Sequence, residues 1–198
     1  MIFITMLIAR RRGMRKKIVV ASLTVVLFGL AGLAGLAWAG AKVYVGKRHE
    51  TDRLLPLDQI DHGAWDRLLK KYVADDGLVD YAAWKNSPAD RDALADYLET
   101  LGRGDPRAKT TAAGRLAFWI NAYNAVTLQG ILREYPTSSI RNHTAKVFGY
   151  NIWDDLLLRV ASEDYSLNAI EHKVLRKLDE PRIHFAIVCA SIGCPLLR

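Results

Sequence analysis

The chain is poor in cysteine: it has two in 198 residues, Cys189 and Cys194, both near the C-terminal end. That excludes a small disulfide-stapled scaffold and leaves three roles for the pair: a disulfide if the domain is exported, two metal ligands, or a nucleophile and a bystander. Acidic residues are missing from residues 1–48, which carry nine Lys or Arg, so residues 49–198 hold 19 basic against 21 acidic side chains. The net charge of +7 therefore belongs to the leader, and the remainder offers no basic stripe for phosphates. Nucleic acid is excluded as a partner on that ground. Repeats are absent, and low complexity is confined to the Gly, Leu and Ala of the leader.

What is present begins with residues 18–41, IVVASLTVVLFGLAGLAGLAWAGA, 24 positions without a charge. Wound as a helix they extend about 36 Å at about 1.5 Å per residue, enough to cross a hydrocarbon core of about 30 Å. Arg10, Arg11, Arg12, Arg15, Lys16 and Lys17 precede the run, and only Lys42, Lys47 and Arg48 follow closely. This bias predicts a cytoplasmic amino end and a domain outside, periplasmic in a Gram-negative cell. The expected division is a basic N-terminus over 1–17, a transmembrane helix or uncleaved signal anchor over 18–41 held in the lipid bilayer, a tether over 42–60 and a domain over 61–198. Cleavage after Ala37-Trp38-Ala39 is the alternative and yields a secreted protein.

The domain is organised around Arg115 to Pro136, RLAFWINAYNAVTLQGILREYP, whose apolar residues surround nearly the whole circumference of a helix. Asn121, Asn124 and Thr127 lay a narrow polar stripe along it. A buried amide costs roughly 1 to 3 kcal/mol unless something hydrogen-bonds it, so the stripe either satisfies neighbouring backbone or helps build a site. Trp65, Leu68, Leu69, Tyr72 and Val73 recur at helical spacing before the turn Asp75-Asp76-Gly77, and Ser87-Pro88-Ala89-Asp90 opens a helix that buries Leu94, Leu98 and Leu101. Residues 152–160, with 162–165 after them, read as one or two short strands. Ser166 caps a helix with Leu167, Ile170, Val174 and Leu178 on one face, and residues 183–190, IHFAIVCA, read as a strand buried on both faces. The fold class is α+β: a mostly helical single domain around a buried central helix, with a small β-sheet, preceded by the N-terminal transmembrane helix.

Several segments in order carry a resemblance: Asp76-Gly77-Leu78-Val79-Asp80-Tyr81; Ala117 to Ala125, AFWINAYNA; Ser166-Leu167 with Ile170-Glu171-His172 and Arg176; and Arg182-Ile183-His184-Phe185-Ala186 through Cys189, Cys194-Pro195 and Leu197-Arg198. Over roughly residues 65–198 the chain resembles the DUF547 family, a domain of unknown function. The resemblance implies a fold and a set of shared polar positions, not a substrate. Members of that family run on past the Cys-Pro-x-Leu-Arg segment, so the resemblance implies a domain that is C-terminally incomplete in this chain.

The candidate groups are Glu171, His172, His184, Cys189, Cys194, Asn121 and Asn124. Strand alternation turns His184 and Cys189 to opposite faces and makes Cys189 a core residue, whereas Cys194 lies in the turn-like segment beyond and is the better nucleophile. A thiol-dependent hydrolase or transferase needs Cys194 as thiolate, His184 or His172 to hold the proton, and Asn121, Asn124 or Glu171 to orient the imidazole. The spacing of His172, His184, Cys189 and Cys194 matches none of the tight ligand pairs of zinc modules, so no metal and no cofactor is expected. The favoured expectation is a membrane-anchored extracytoplasmic binding or scaffold module for an unidentified ligand or protein; the thiol enzyme is the alternative.

Overall fold

The computed structural model describes residues 42–144, 150–190 and 194–197, all within the unit Ala41–Arg198. The central helix is α4, Ala112–Glu134, set beside α1 (Gly63–Tyr72), α2 (Tyr81–Lys85) and α3 (Pro88–Leu101), with one helical turn, α5 (Ile152–Asp155), further on. Thr111 caps α4, its hydroxyl accepting the Gly114 N–H at 3.1 Å, so the helix begins at Ala112, ahead of the start expected at Arg115. Phe118, Trp119, Ala122, Val126 and Leu128 are all buried, so the helix lies inside the domain as its all-round apolar pattern requires. Each such large side chain contributes about 1.5 to 3 kcal/mol of burial.

Aromatic pairs join α4's neighbours. Trp65 of α1 stacks on Tyr97 of α3 with centroids 5.6 Å apart, and Tyr72 of α1 stacks on Trp84 of α2 at 4.7 Å. Asp80 caps α2 through the Ala83 N–H at 2.9 Å. Pro181 and Glu180 open a 3₁₀ helix over Pro181–Phe185, the Glu180 carboxylate accepting the Arg182 N–H at 3.0 Å.

The main sheet has the order β1-β4-β5, formed by Val43–Val45, Leu156–Val160 and Glu163–Ser166. β1 runs parallel to β4, and β4 and β5 form a hairpin around Ala161, whose φ is 49°. Leu156, Leu158 and Val160 alternate inward, so the strand expected over residues 152–160 forms only from Leu156, residues 152–155 being the helical turn α5 that Asn151 caps. A second, two-stranded sheet pairs β2 (Leu55–Pro56) with β3 (Gly104–Asp105) in parallel. Residues 42–60, expected as a tether, thus hold β1 and β2, and Leu57 and Ile60 are buried among the core residues.

Two further differences have physical causes. The strand expected over residues 183–190 does not form: its first part is the 3₁₀ helix, and residues 187–190 are irregular. Proline at the first helical position and the Glu180 cap favour a helical turn there. The helix after Ser166 is capped as expected, the Ala169 N–H donating to Ser166 Oγ at 3.1 Å, but it is π-helical over Ala169–Val174. The extra residue in that turn shifts the inward position, so Leu175 is fully buried and Val174 only half.

The α+β class stands, but the transmembrane helix and the single-pass membrane localisation drawn from it do not. Among the described residues no helix is long and apolar enough to cross a membrane. Residues 18–41 lie outside the described residues. Length alone does not make α4 a span, because Arg115, Asn121, Asn124, Gln129, Arg133 and Glu134 interrupt its apolar surface.

Candidate functional site

Asn124 is 5% exposed and uses both ends of its amide. Its Nδ2 donates to the Ala186 carbonyl at 2.9 Å, and its Oδ1 accepts the Val188 N–H at 2.9 Å. The side chain thus satisfies two backbone groups of residues 186–188, a stretch without a sheet partner. Thr127 returns its hydroxyl to the Tyr123 carbonyl at 2.9 Å, within α4 itself. Asn121 differs from both. It is half-buried, and among the described residues its amide makes no hydrogen bond.

Asn121 faces a cleft of about 660 Å³ whose walls include His62, Trp65, Leu69, Val73 and Leu197, with Asp66 and Lys70 also lining it. His62 Nδ1 lies 2.6 Å from the Tyr97 hydroxyl, which leaves Nε2 as the ring nitrogen open to the cleft. Burial pushes the His62 pKa below its ordinary value, partly opposed by the charge of Asp61, so the imidazole is held neutral. His62 was not among the expected site residues. Its partner Tyr97 is 35 residues away, and no local pattern joins the two.

A smaller cavity of about 220 Å³, which shares Leu197 with the first, is lined by Val79, Tyr81, Asn124, Leu128, Val188 and Cys194, among others. The Cys189 N–H donates to Cys194 Sγ at 3.2 Å. The buried Tyr123 phenol has its pKa raised, first by burial and then by the charges of Glu171, Cys189 and Cys194, with a hydrogen bond to Glu171 adding to the effect. Glu171 is itself ion-paired with Arg176 at 2.7 Å. The fold thus gathers Glu171, Cys189 and Cys194 near one phenol, that of Tyr123, whose polar end no residue pattern singles out.

His172 and His184 are both exposed, and among the described residues neither makes a hydrogen bond or an ion pair. Asn121 and Asn124 open on different cavities, so the expected constellation of cysteine, histidine and amide is not gathered at one point. The argument that set His184 and Cys189 on opposite faces of a strand lapses with the strand. Cys189 is half-buried rather than enclosed in the core. Among the described residues no group of three or more His, Cys, Asp or Glu side chains is arranged to hold a metal ion.

No curated protein and no solved structure matches the chain. One family model does, described as a protein of unknown function, DUF547, over a shorter stretch than the resemblance of residues 65–198. Its match begins just before α4 and takes in Asn121, Asn124, Glu171 and both cysteines, while His62 and the helices α1 to α3 lie ahead of it. Residues 108–198, at the C-terminal end of this 198-residue chain, are a DUF547 domain.

Proposed function

We propose that the domain is a ligand-binding module whose site is the cleft beside Asn121, and that it takes a small neutral molecule carrying an amide or carbonyl next to an apolar group. The observation that carries this reading is the Asn121 amide: it is half-buried, without a protein partner among the described residues, and turned to a cleft of about 660 Å³. Ligand sites of about 300 to 1,000 Å³ with apolar walls and a few convergent polar groups are the usual form of small-molecule pockets. Asn121 offers one acceptor and two donors, His62 a neutral ring nitrogen, and Leu69, Val73 and Leu197 the apolar wall. A neutral imidazole and an amide favour an uncharged polar group over a phosphate or a carboxylate.

The thiol-dependent hydrolase or transferase is the second reading, favoured by one observation: Cys194 lines a cavity and its sulfur receives a backbone N–H. Against it stand the two exposed histidines, neither of which has a contact to Cys194.

The test is an NMR titration of the full chain with N-acetyl-leucinamide, which carries two amides beside an isobutyl group. Shifts confined to residues 62–75 and Asn121, weakened about tenfold by Asn121→Leu, are expected for a hydrogen bond worth about 1.4 kcal/mol. No shift in that cleft, or shifts only around Cys194, would overturn the reading.

A further inference from the structure

Cys189 and Cys194 approach each other beside the smaller cavity, which shares Leu197 as a wall with the Asn121 cleft. The Cys189 N–H reaches Cys194 Sγ at 3.2 Å, and an N–Cα bond of about 1.5 Å then puts that sulfur within about 4.7 Å of the Cys189 Cα. The Cys194 Cα stands about 2.8 Å from its own sulfur, so the two Cα atoms are at most about 7.5 Å apart, a bound that takes in the separation of about 4.4 to 6.8 Å found for cystine partners. Both thiols also bear on the same Tyr123 phenol, which brings them to one locality by an independent route. Neither is enclosed: both residues are half-buried, and Cys194 lines the cavity of about 220 Å³ through which a small reagent can reach it. The thiolate is the form that attacks.

We propose that Cys189 and Cys194 are a redox-active dithiol that closes to an intramolecular disulfide, with a low-molecular-weight disulfide of the glutathione class as its oxidant. The Cys194 thiolate attacks one sulfur of the reagent, whose S–S bond breaks and releases one small thiolate. The Cys189 thiolate then attacks the Cys194 sulfur of the mixed disulfide and expels the second. Two protein thiols are oxidised and one small disulfide is reduced to two thiols, which take up the two protons the protein has lost.

The bond has a structural consequence at the cavity. Val188 is already tied to α4 by Asn124, and Leu197, three residues beyond Cys194, is buried against the core. Oxidation joins these two anchored walls directly.

The full chain is equilibrated in buffers of graded reduced-to-oxidised glutathione ratio, acid-quenched, alkylated with iodoacetamide and weighed intact. The expected result is one transition from a doubly alkylated monomer to an unalkylated monomer lighter by two hydrogens than the reduced chain. Cys189→Ser should instead accumulate a single glutathione adduct on Cys194, because the resolving thiol is gone. An unaltered chain that stays fully alkylatable throughout overturns the proposal, as does one that accumulates glutathione adducts or forms only disulfide-linked dimers.

Discussion

Asn124 and Asn121 sit three residues apart on one helix and do different things. Asn124 gives its whole amide to the Ala186 carbonyl and the Val188 N–H, at 2.9 Å each. Replacing it by leucine keeps the volume but strands both backbone groups, and should cost about 2 to 3 kcal/mol in urea denaturation. Asn121→Leu removes no protein hydrogen bond among the described residues and should stay within about 0.5 kcal/mol of the unaltered chain, so that its effect appears in binding alone. The polar stripe was legible in the sequence, and so was the demand that it be answered. Which residue answered which group was not, because the partners of Asn124 lie 62 and 64 residues along the chain.

His62 carries the pH dependence of the same cleft. Its pKa is lowered from 6.5 by burial, so the unfolded chain binds the proton more tightly than the folded one. The neutral ring's contribution to stability is therefore fully present above pH 6.5 and declines as pH falls from there towards the lower folded value. Urea midpoints of His62→Gln should change less between pH 7 and pH 5 than those of the unaltered chain, about 7 and about 5 being the two sides of an ordinary histidine titration. Equal slopes for the two proteins would show that the imidazole is not held neutral.

Among the elements, the π-helical turn Ala169–Val174 decides which side chain faces inward. Helical spacing from Leu167 and Ile170 selects Val174, whereas in the structure Leu175 is fully buried and Val174 is not. Leu175→Ala should therefore cost about 2 to 5 kcal/mol, and Val174→Ala about 1 kcal/mol. The reverse order in a denaturation series would place the turn in ordinary α register. The Ser166 cap was readable because it involves a neighbour three residues away, the Ala169 N–H at 3.1 Å. The extra residue of the turn was not, since nothing in LNAIEHKVL departs from a regular helical pattern. Residues 183–190 illustrate the same division: eight residues of strand-like composition became a 3₁₀ turn and an irregular piece. A strand requires a partner, and here a side-chain amide takes the partner's place.

At the scale of the whole molecule, the boundary of the folded unit lies earlier than the domain start expected at residue 61. β1 pairs with β4 in register Val43 with Leu156, Lys42 reaches Asp155 at 2.7 Å, and Leu57 is fully buried. A chain trimmed to begin at residue 61 loses two sheet strands, β1 and β2, and the Leu57 and Ile60 side chains together. Each of those two buried side chains is worth about 1.5 to 3 kcal/mol, a large part of a typical stability of about 5 to 15 kcal/mol. Calorimetry of the trimmed chain should give a broad, weak unfolding transition beside the sharp one of the full chain. An undiminished transition would mean that residues 42–60 pack on a domain already complete without them.

Taken by itself, the amino-acid sequence determined α1, α3 and α4, the Ser166 cap, the buried character of α4 and the DUF547 resemblance, because these depend on residue types and on partners three or four positions apart. The tertiary structure alone decided that Asn121 is left to a cleft while Asn124 is used up on backbone, that His62 joins Tyr97, and that Cys194 sits beside Cys189 with both histidines in solvent. Those outcomes depend on which distant segments are brought within about 3 Å of one another, and hydrogen bonding at that range leaves no periodicity in the chain to be read.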